Sequence, residues 1–252
     1  MKYKIDYFGA QIQGRRDYQE DRYDIFRVEA KPDNVLAIVC DGMGGHVGGA
    51  LAAETAVRTF VSRLEGHNGD LTDSFMSALN EANSEIARVI QQDETKSGMG
   101  CTLTALELDA NTVRWISVGD SVLHLFRNGE ISRLNDDHSM APQLDAAAAR
   151  GEITQQEALE SSSRHMLRSA IMGDHIKHVD FQSSPHPLED GDWLILASDG
   201  LDVLDPRELA TIIQTRALES AYSVCEHLLD AVESKNLPRQ DNTTVIAIRP
   251  RF

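Results

Sequence analysis

Val35-Leu36-Ala37-Ile38-Val39-Cys40-Asp41-Gly42-Met43-Gly44-Gly45-His46 sets six apolar residues directly before an aspartate and a glycine-rich turn. A short unbroken apolar run of this kind predicts a buried strand. The pattern returns at Trp193-Leu194-Ile195-Leu196-Ala197-Ser198-Asp199-Gly200. A carboxylate at the end of a buried strand is held rigidly while its head points out of the core. Glycine after Asp41 and Asp199 allows a sharp turn and lets a backbone carbonyl approach a cation. Two more acidic motifs belong with these. Arg16-Asp17-Tyr18-Gln19-Glu20-Asp21 lies near the start, and Arg239-Gln240-Asp241-Asn242-Thr243-Thr244 immediately precedes a last strand at 244–248.

A lone Asp-Gly is an ordinary turn. Four acidic motifs at strand ends are a different matter, because carboxylates brought together repel and each has a raised pKa. Hard divalent cations relieve that repulsion. Aspartate oxygens with water suit Mg²⁺ or Mn²⁺ better than Zn²⁺.

Strands and helices alternate in groups around these motifs. Residues 102–108, 112–118 and 122–127 read as a meander, with turns at Asp109-Ala110-Asn111 and Gly119-Asp120, and Asn128-Gly129 predicts a tight hairpin into a further strand. Ala53, Ala56, Val57, Phe60, Val61 and Leu64 share one helical face. Asp73 is placed to cap a second helix, Pro206 to begin a third over 207–214, and 219–234 reads as a fourth. Strands in runs with helices in pairs indicate an α+β layered protein rather than a doubly wound sheet. No repeat or linker interrupts the 252 residues, so one domain spanning 1–252 is expected. Residues 136–173 are polar, Ala- and Ser-rich and without a strand pattern. Thr154-Gln155-Gln156-Glu157 there forms a capping box, and the stretch reads as a surface excursion, a candidate flap.

The bulk composition excludes several classes. Lys and Arg number 24 against 40 Asp and Glu, a net charge of −16, so nucleic acid is not an expected partner. The longest apolar run is six residues, far short of a membrane span, and the first nine residues lack a signal-type apolar stretch. Three cysteines with no paired spacing point to a reduced, cytoplasmic setting. Catalytic alternatives fail as well. The positions six after each cysteine hold His46, Glu107 and Ala231, not the arginine of a cysteine phosphatase. No Gly-Lys pair, Gly-x-Ser-x-Gly elbow or His-Glu-x-x-His spacing occurs.

The order R-x-x-x-E-D, V-x-D-G-M-G-G-H, S-G-M-G-x-T, V-G-D-S, D-H-S, A-S-D-G-L and D-N-x-T, running from about residue 9 to 249, resembles the metal-dependent protein phosphatases, the type 2C Ser/Thr phosphatases, in their compact bacterial form. The resemblance implies a four-layer α-β-β-α sandwich, two antiparallel sheets flanked by helix pairs. It implies that Asp41 bridges two catalytic cations, with the Gly42 carbonyl on one of them and Asp199 and Asp241 completing the second site. Glu20 and Asp21 would act through metal-bound waters, Asp120 would share a third, weaker cation with Asp199, and Arg16 would grip the substrate phosphate, to which a guanidinium fork is suited. A water bridging two cations would be ionised near neutrality and attack phosphorus in line. Met43 stands where eukaryotic members carry a histidine proposed as general acid, and His46, three residues on, is expected to pack the loop rather than replace it.

The expected partners are phosphorylated proteins and a cognate Ser/Thr kinase, with the phosphatase acting as a monomer. Two other readings stand beside this one. One is a non-catalytic module that binds a kinase or phosphopeptide, which the loss of a metal aspartate would have favoured. The other is a metallohydrolase for small phosphate esters.

Overall fold

A computed structural model describes residues 4–28, 31–45, 47–65 and 71–251. In chain order the elements are β1 (Lys4–Ile12), β2 (Arg22–Val28), β3 (Lys31–Cys40), β4 (Gly42–Met43), α1 (Val47–Glu65), α2 (Leu71–Gln92), β5 (Gly100–Cys101), β6 (Leu103–Asp109), β7 (Thr112–Val118), β8 (Val122–Arg127) and β9 (Glu130–Arg133). After them come α3 (Ala141–Ala149), α4 (Gln155–Glu160), β10 (Asp180–Pro187), β11 (Trp193–Ala197), α5 (Pro206–Arg216), α6 (Ala221–Ser234) and β12 (Thr243–Arg251).

The apolar run of β3 has two buried faces because it has two neighbours. Leu36, Ile38 and Cys40 pack with Phe60 and Leu64 of α1 and Phe75, Leu79 and Ile86 of α2. Val35, Ala37 and Val39 point the other way, into a layer shared with Leu194 and Leu196 of β11 and Ile246 and Ile248 of β12. The alternate residues of those two strands, Trp193, Ile195, Val245 and Ala247, meet Val224, Leu228 and Val232 of α6 and Leu209 and Ile213 of α5. Three apolar layers therefore separate four layers of structure. Each fully buried Leu, Ile, Val or Phe adds roughly 1.5–3 kcal/mol.

Both five-stranded sheets are antiparallel. One has the order β1-β12-β11-β8-β9 and the other β10-β7-β6-β3-β2. A short β4–β5 ladder pairs Gly42 with Cys101 and Met43 with Gly100. The Asn128-Gly129 hairpin forms as expected, with φ of 54° and 86° joining β8 to β9. Thr154 caps α4 through a complete capping box with Glu157, and Pro206 opens α5 behind the Asp205 cap.

The meander is corrected at its second turn. β6 and β7 form a hairpin, but β8 pairs with β11 and β9 in the opposite sheet. Gly119, at φ +105°, turns the chain out of one sheet, and Asp120-Ser121 carries it across to the other. Alternation could not reveal this, because both sheets offer the same apolar interior. The second helix begins at Leu71, two residues before its expected cap Asp73. Strands β1, β2 and β10, absent from the sequence reading, are sheet edges with half-buried or exposed positions. The Ala-rich α3 was also unread, having no buried residue to set a period. His46 lies outside the described residues.

Candidate active site

The ends of the central strands meet at one edge of the sandwich. Asp41 follows β3, Asp199 follows β11 after Ser198, Asp241 precedes β12, and Asp120 sits in the crossover from β7 to β8. There they line a cleft of about 770 Å³ together with Arg16, Glu20 and Gly42. Asp21 lies beneath it. Its side chain is fully buried, and its Oδ2 accepts hydrogen bonds of 2.7 Å from both Ser198 Oγ and Thr244 Oγ1.

Neighbouring groups lock each position. The Asp41 amide donates to Thr102 Oγ1 (2.9 Å), and the Thr102 amide donates to the Asp41 carbonyl (2.8 Å). The Thr102 hydroxyl also meets Ser121 Oγ at 2.7 Å, so the Asp41 turn is tied to the crossover that carries Asp120. Across that crossover the Gly119 amide donates to His138 Nδ1 (3.1 Å). Burial lowers the pKa of His138, in keeping with a neutral imidazole accepting at this nitrogen. The Asp120 carbonyl accepts from Arg133 Nη2 at 2.8 Å. Gly42 is demanded by packing rather than by its φ, since a Cβ there would stand 2.2 Å from the Gly49 carbonyl oxygen and 2.7 Å from that of Glu20.

Asn242, a motif letter in the sequence, has a structural task. Its Oδ1 accepts from the Glu20 amide (2.8 Å), and its Nδ2 donates to the carbonyls of Gln13 (2.8 Å) and Tyr18 (3.0 Å). The loop holding Arg16 and Glu20 is thereby stitched to the strand end holding Asp241. A side chain with both a donor and an acceptor, beside a metal-type aspartate, is the signal that could have marked it.

Electrostatics sets this cluster apart from the rest of the surface. Burial, then the charge of Asp199, pushes the Asp41 carboxyl well above the usual carboxylate range. Asp199 is raised by burial and by Asp241. Burial pushes Asp120 up to about 7 and Asp21 up to about 6. Asp202, in the short turn after Asp199, joins the same field. Although the residue as a whole is exposed, crowding around its carboxyl and the charge of Asp199 raise it to about 6.

Arg16 is ion-paired with Asp241. Among the described residues no three His, Cys, Asp or Glu side chains already stand in coordinating geometry. The donor set nonetheless fits a hard divalent cation. It is all oxygen, Gly42 leaves no room for a side chain, and the buried Asp21 Oδ1 and Asp199 Oδ1 have no hydrogen-bond partner. A cation in the cleft would supply what those oxygens lack.

The protein phosphatase 2C family model matches residues 9–240. The serine/threonine phosphatase stp of Listeria monocytogenes is 29% identical over 240 residues, covering 92% of this chain and 90% of its own. The serine/threonine phosphatase of S. agalactiae superposes with a TM-score of 0.84 at 26% identity, over 98% of this chain and 99% of its own. The catalytic domain of the phosphatase PstP, solved in complex with 2 manganese ions, shares the fold with a TM-score of 0.79 at 24% identity, over 99% and 100% of the two chains. The chain belongs to the protein phosphatase 2C family.

Proposed function

We propose that this protein hydrolyses phosphoserine and phosphothreonine in other proteins, in a reaction that requires Mn²⁺ or Mg²⁺. The observation that carries the reading is the convergence of Asp41, Asp199, Asp241 and Asp120 from both sheets on one cleft, with Asp41, Asp199 and Asp120 held above the usual carboxylate range. Such a cluster is costly to an apo protein and is relieved by divalent cations.

In this reading Asp41, the Gly42 carbonyl, Asp199 and Asp241 would hold two cations, and Asp120 with Asp199 would hold a third, weaker one. Cations held there would supply an activated water and would offset charge on the phosphoryl oxygens. Glu20, on the cleft wall, orients water by accepting its hydrogen bonds. Asp21 acts from below, fixing Ser198 and Thr244 and so the ends of the strands that carry Asp199 and Asp241. Arg16, paired with Asp241 here, would be released to a substrate phosphate once that carboxylate holds a cation. Met43 lines the cleft but can neither donate nor accept a proton, so it does not serve as the general acid for the leaving oxygen.

The substrates are phosphorylated proteins made by a Ser/Thr kinase, and the enzyme acts as a monomer in the cytoplasm. Its three cysteines are buried and free, and among the described residues no helix is long and apolar enough to cross a membrane.

The test compares a phosphothreonine peptide with a nucleotide, each with Mn²⁺ and with excess EDTA. Hydrolysis of the peptide that vanishes in EDTA and survives thiol alkylation is expected. Peptide hydrolysis in excess chelator, or faster hydrolysis of the nucleotide, would overturn the reading.

A further inference from the structure

The rim of the cleft carries the opposite charge to the molecule. Across the chain Asp and Glu outnumber Lys and Arg by 40 to 24. Around the cleft, apart from the carboxylates assigned to the cations, four cations (Arg15, Arg16, Arg168, Lys177) face two carboxylates, Asp17 and Asp174. Arg16 is taken up by Asp241, and Arg168 meets the ring of His178 at 3.1 Å. Arg15 and Lys177 are different. Both are exposed, and among the described residues neither has a carboxylate partner. The Arg15 guanidinium donates to the carboxamide oxygen of Asn236, at 3.0 Å. Many other exposed cations of the chain are held by acids, as in Arg88–Glu85, Arg150–Glu152 and Lys235–Glu208.

We propose that Arg15 and Lys177 select phosphoproteins that carry acidic residues beside the phosphoserine or phosphothreonine. The inference rests on the phosphatase reading above and adds a substrate class to it. A molecule of net charge −16 repels acidic segments in general. Cations at the mouth reverse that sign locally, within a Debye length of about 10 Å at 0.1 M salt, which is the distance over which residues flanking a bound phosphoresidue lie. Arg15 stands next to the phosphate-gripping Arg16, and Lys177 lies on the segment leading into β10, so the two reach the cleft from separate parts of the chain. Exposed rim charges of this kind act on encounter and selection more than on the chemical step.

Phosphothreonine peptides of one length, with both flanking positions Glu, Ser, Lys or Leu, would be compared by kcat/KM at saturating Mn²⁺. The Glu peptide should exceed the Lys peptide roughly tenfold at 50 mM salt, and the ratio should fall below about threefold at 0.5 M. Arg15→Glu combined with Lys177→Glu should reverse the order in favour of the Lys peptide, and Lys177→Ala alone should shrink the ratio. Both positions are exposed, so a melting temperature near the native value checks that the variants fold. Equal rates on Glu and Lys peptides, or a double variant that keeps the Glu preference, overturns the proposal. So does a preference for the Leu peptide, which would move selection to the exposed Tyr18, Met166 and Met172 of the same cleft. Should no peptide react while a nucleotide does, the phosphatase reading falls and this inference falls with it.

Discussion

Asp41 shows at the scale of one residue how a costly arrangement implies its ligand. Its carboxyl is buried against Asp199, Asp21, Asp120 and Asp241, and each raises its pKa. Asp41→Ala, Asp199→Ala and Asp241→Ala should each lower turnover by several orders of magnitude. Without metal, each should leave the melting temperature level or higher, because one source of repulsion is gone. Near-native turnover in any of the three at saturating metal would show the site misassigned. Arg16→Ala should reduce kcat/KM for p-nitrophenyl phosphate by about one to two decades, the worth of a charge-assisted pair of roughly 1.5–3 kcal/mol. Metal affinity should hold or tighten, since Arg16 is also the partner that Asp241 must release. A marked loss of metal binding would instead make Arg16 a support for the cluster. Asp120→Ala should keep the two tighter cations and lose the looser phase of metal activation. An unchanged metal titration would leave Asp120 as a crossover residue.

Elements decide what reaches these residues. Residues 136–173 hold α3 and α4 and then return along the cleft, where His165, Met166, Arg168 and Met172 form part of its wall. The segment is tied down at both ends of that return. The Arg168 amide donates to the His138 carbonyl at 2.8 Å, and Ile171 bridges Cys101 beside the β4–β5 ladder. Arg164 adds a two-pronged pair to Asp145 of α3, at 2.7 and 3.0 Å. Shortening α3 and α4 should therefore alter rates on phosphoproteins far more than on p-nitrophenyl phosphate, whose small body never meets the wall. Parallel losses on both substrates would make the segment a brace for Cys101 and Asp41.

For the whole molecule the same charges predict how stability follows pH. Asp120 sits at about 7 and Asp21 at about 6, against 3.8 for an ordinary aspartate, so the metal-free fold binds these protons more tightly than the unfolded chain does. Above about pH 7 both states are ionised and the fold bears the full repulsion. As pH falls from 7 towards 4 the fold takes up protons first and gains stability. Below about 4 both states are protonated and the gain stops. The metal-free protein should thus melt at a higher temperature at pH 5.5 than at pH 8. Saturating Mn²⁺ should flatten or invert that slope, since protons then compete with cations. Asp120→Asn should remove part of it. An identical slope in that variant would mean that general charge repulsion at −16 accounts for the effect.

Strand chemistry and the acidic motifs were legible in the sequence because both are local. The unbroken apolar run before Asp41 reads as a strand covered on both sides, and Asp-Gly at such an end presents a carboxylate at the core's edge. The resemblance of the ordered motifs supplied the two-sheet sandwich, which local pattern alone did not. Tertiary structure decided the rest. It placed β8 in the opposite sheet from β7, a choice invisible to alternation because both sheets bury the same apolar residues. It formed the edge strands β1, β2 and β10, whose half-exposed positions carry little pattern. It sent Asp21 beneath the cleft and Glu20 to its wall, though the two are neighbours in sequence, in the turn just before β2. And it gathered Arg15 and Lys177, 162 positions apart, on the rim of one acidic site. Only the fold could do so, because charge acts over distance in space and not along the chain.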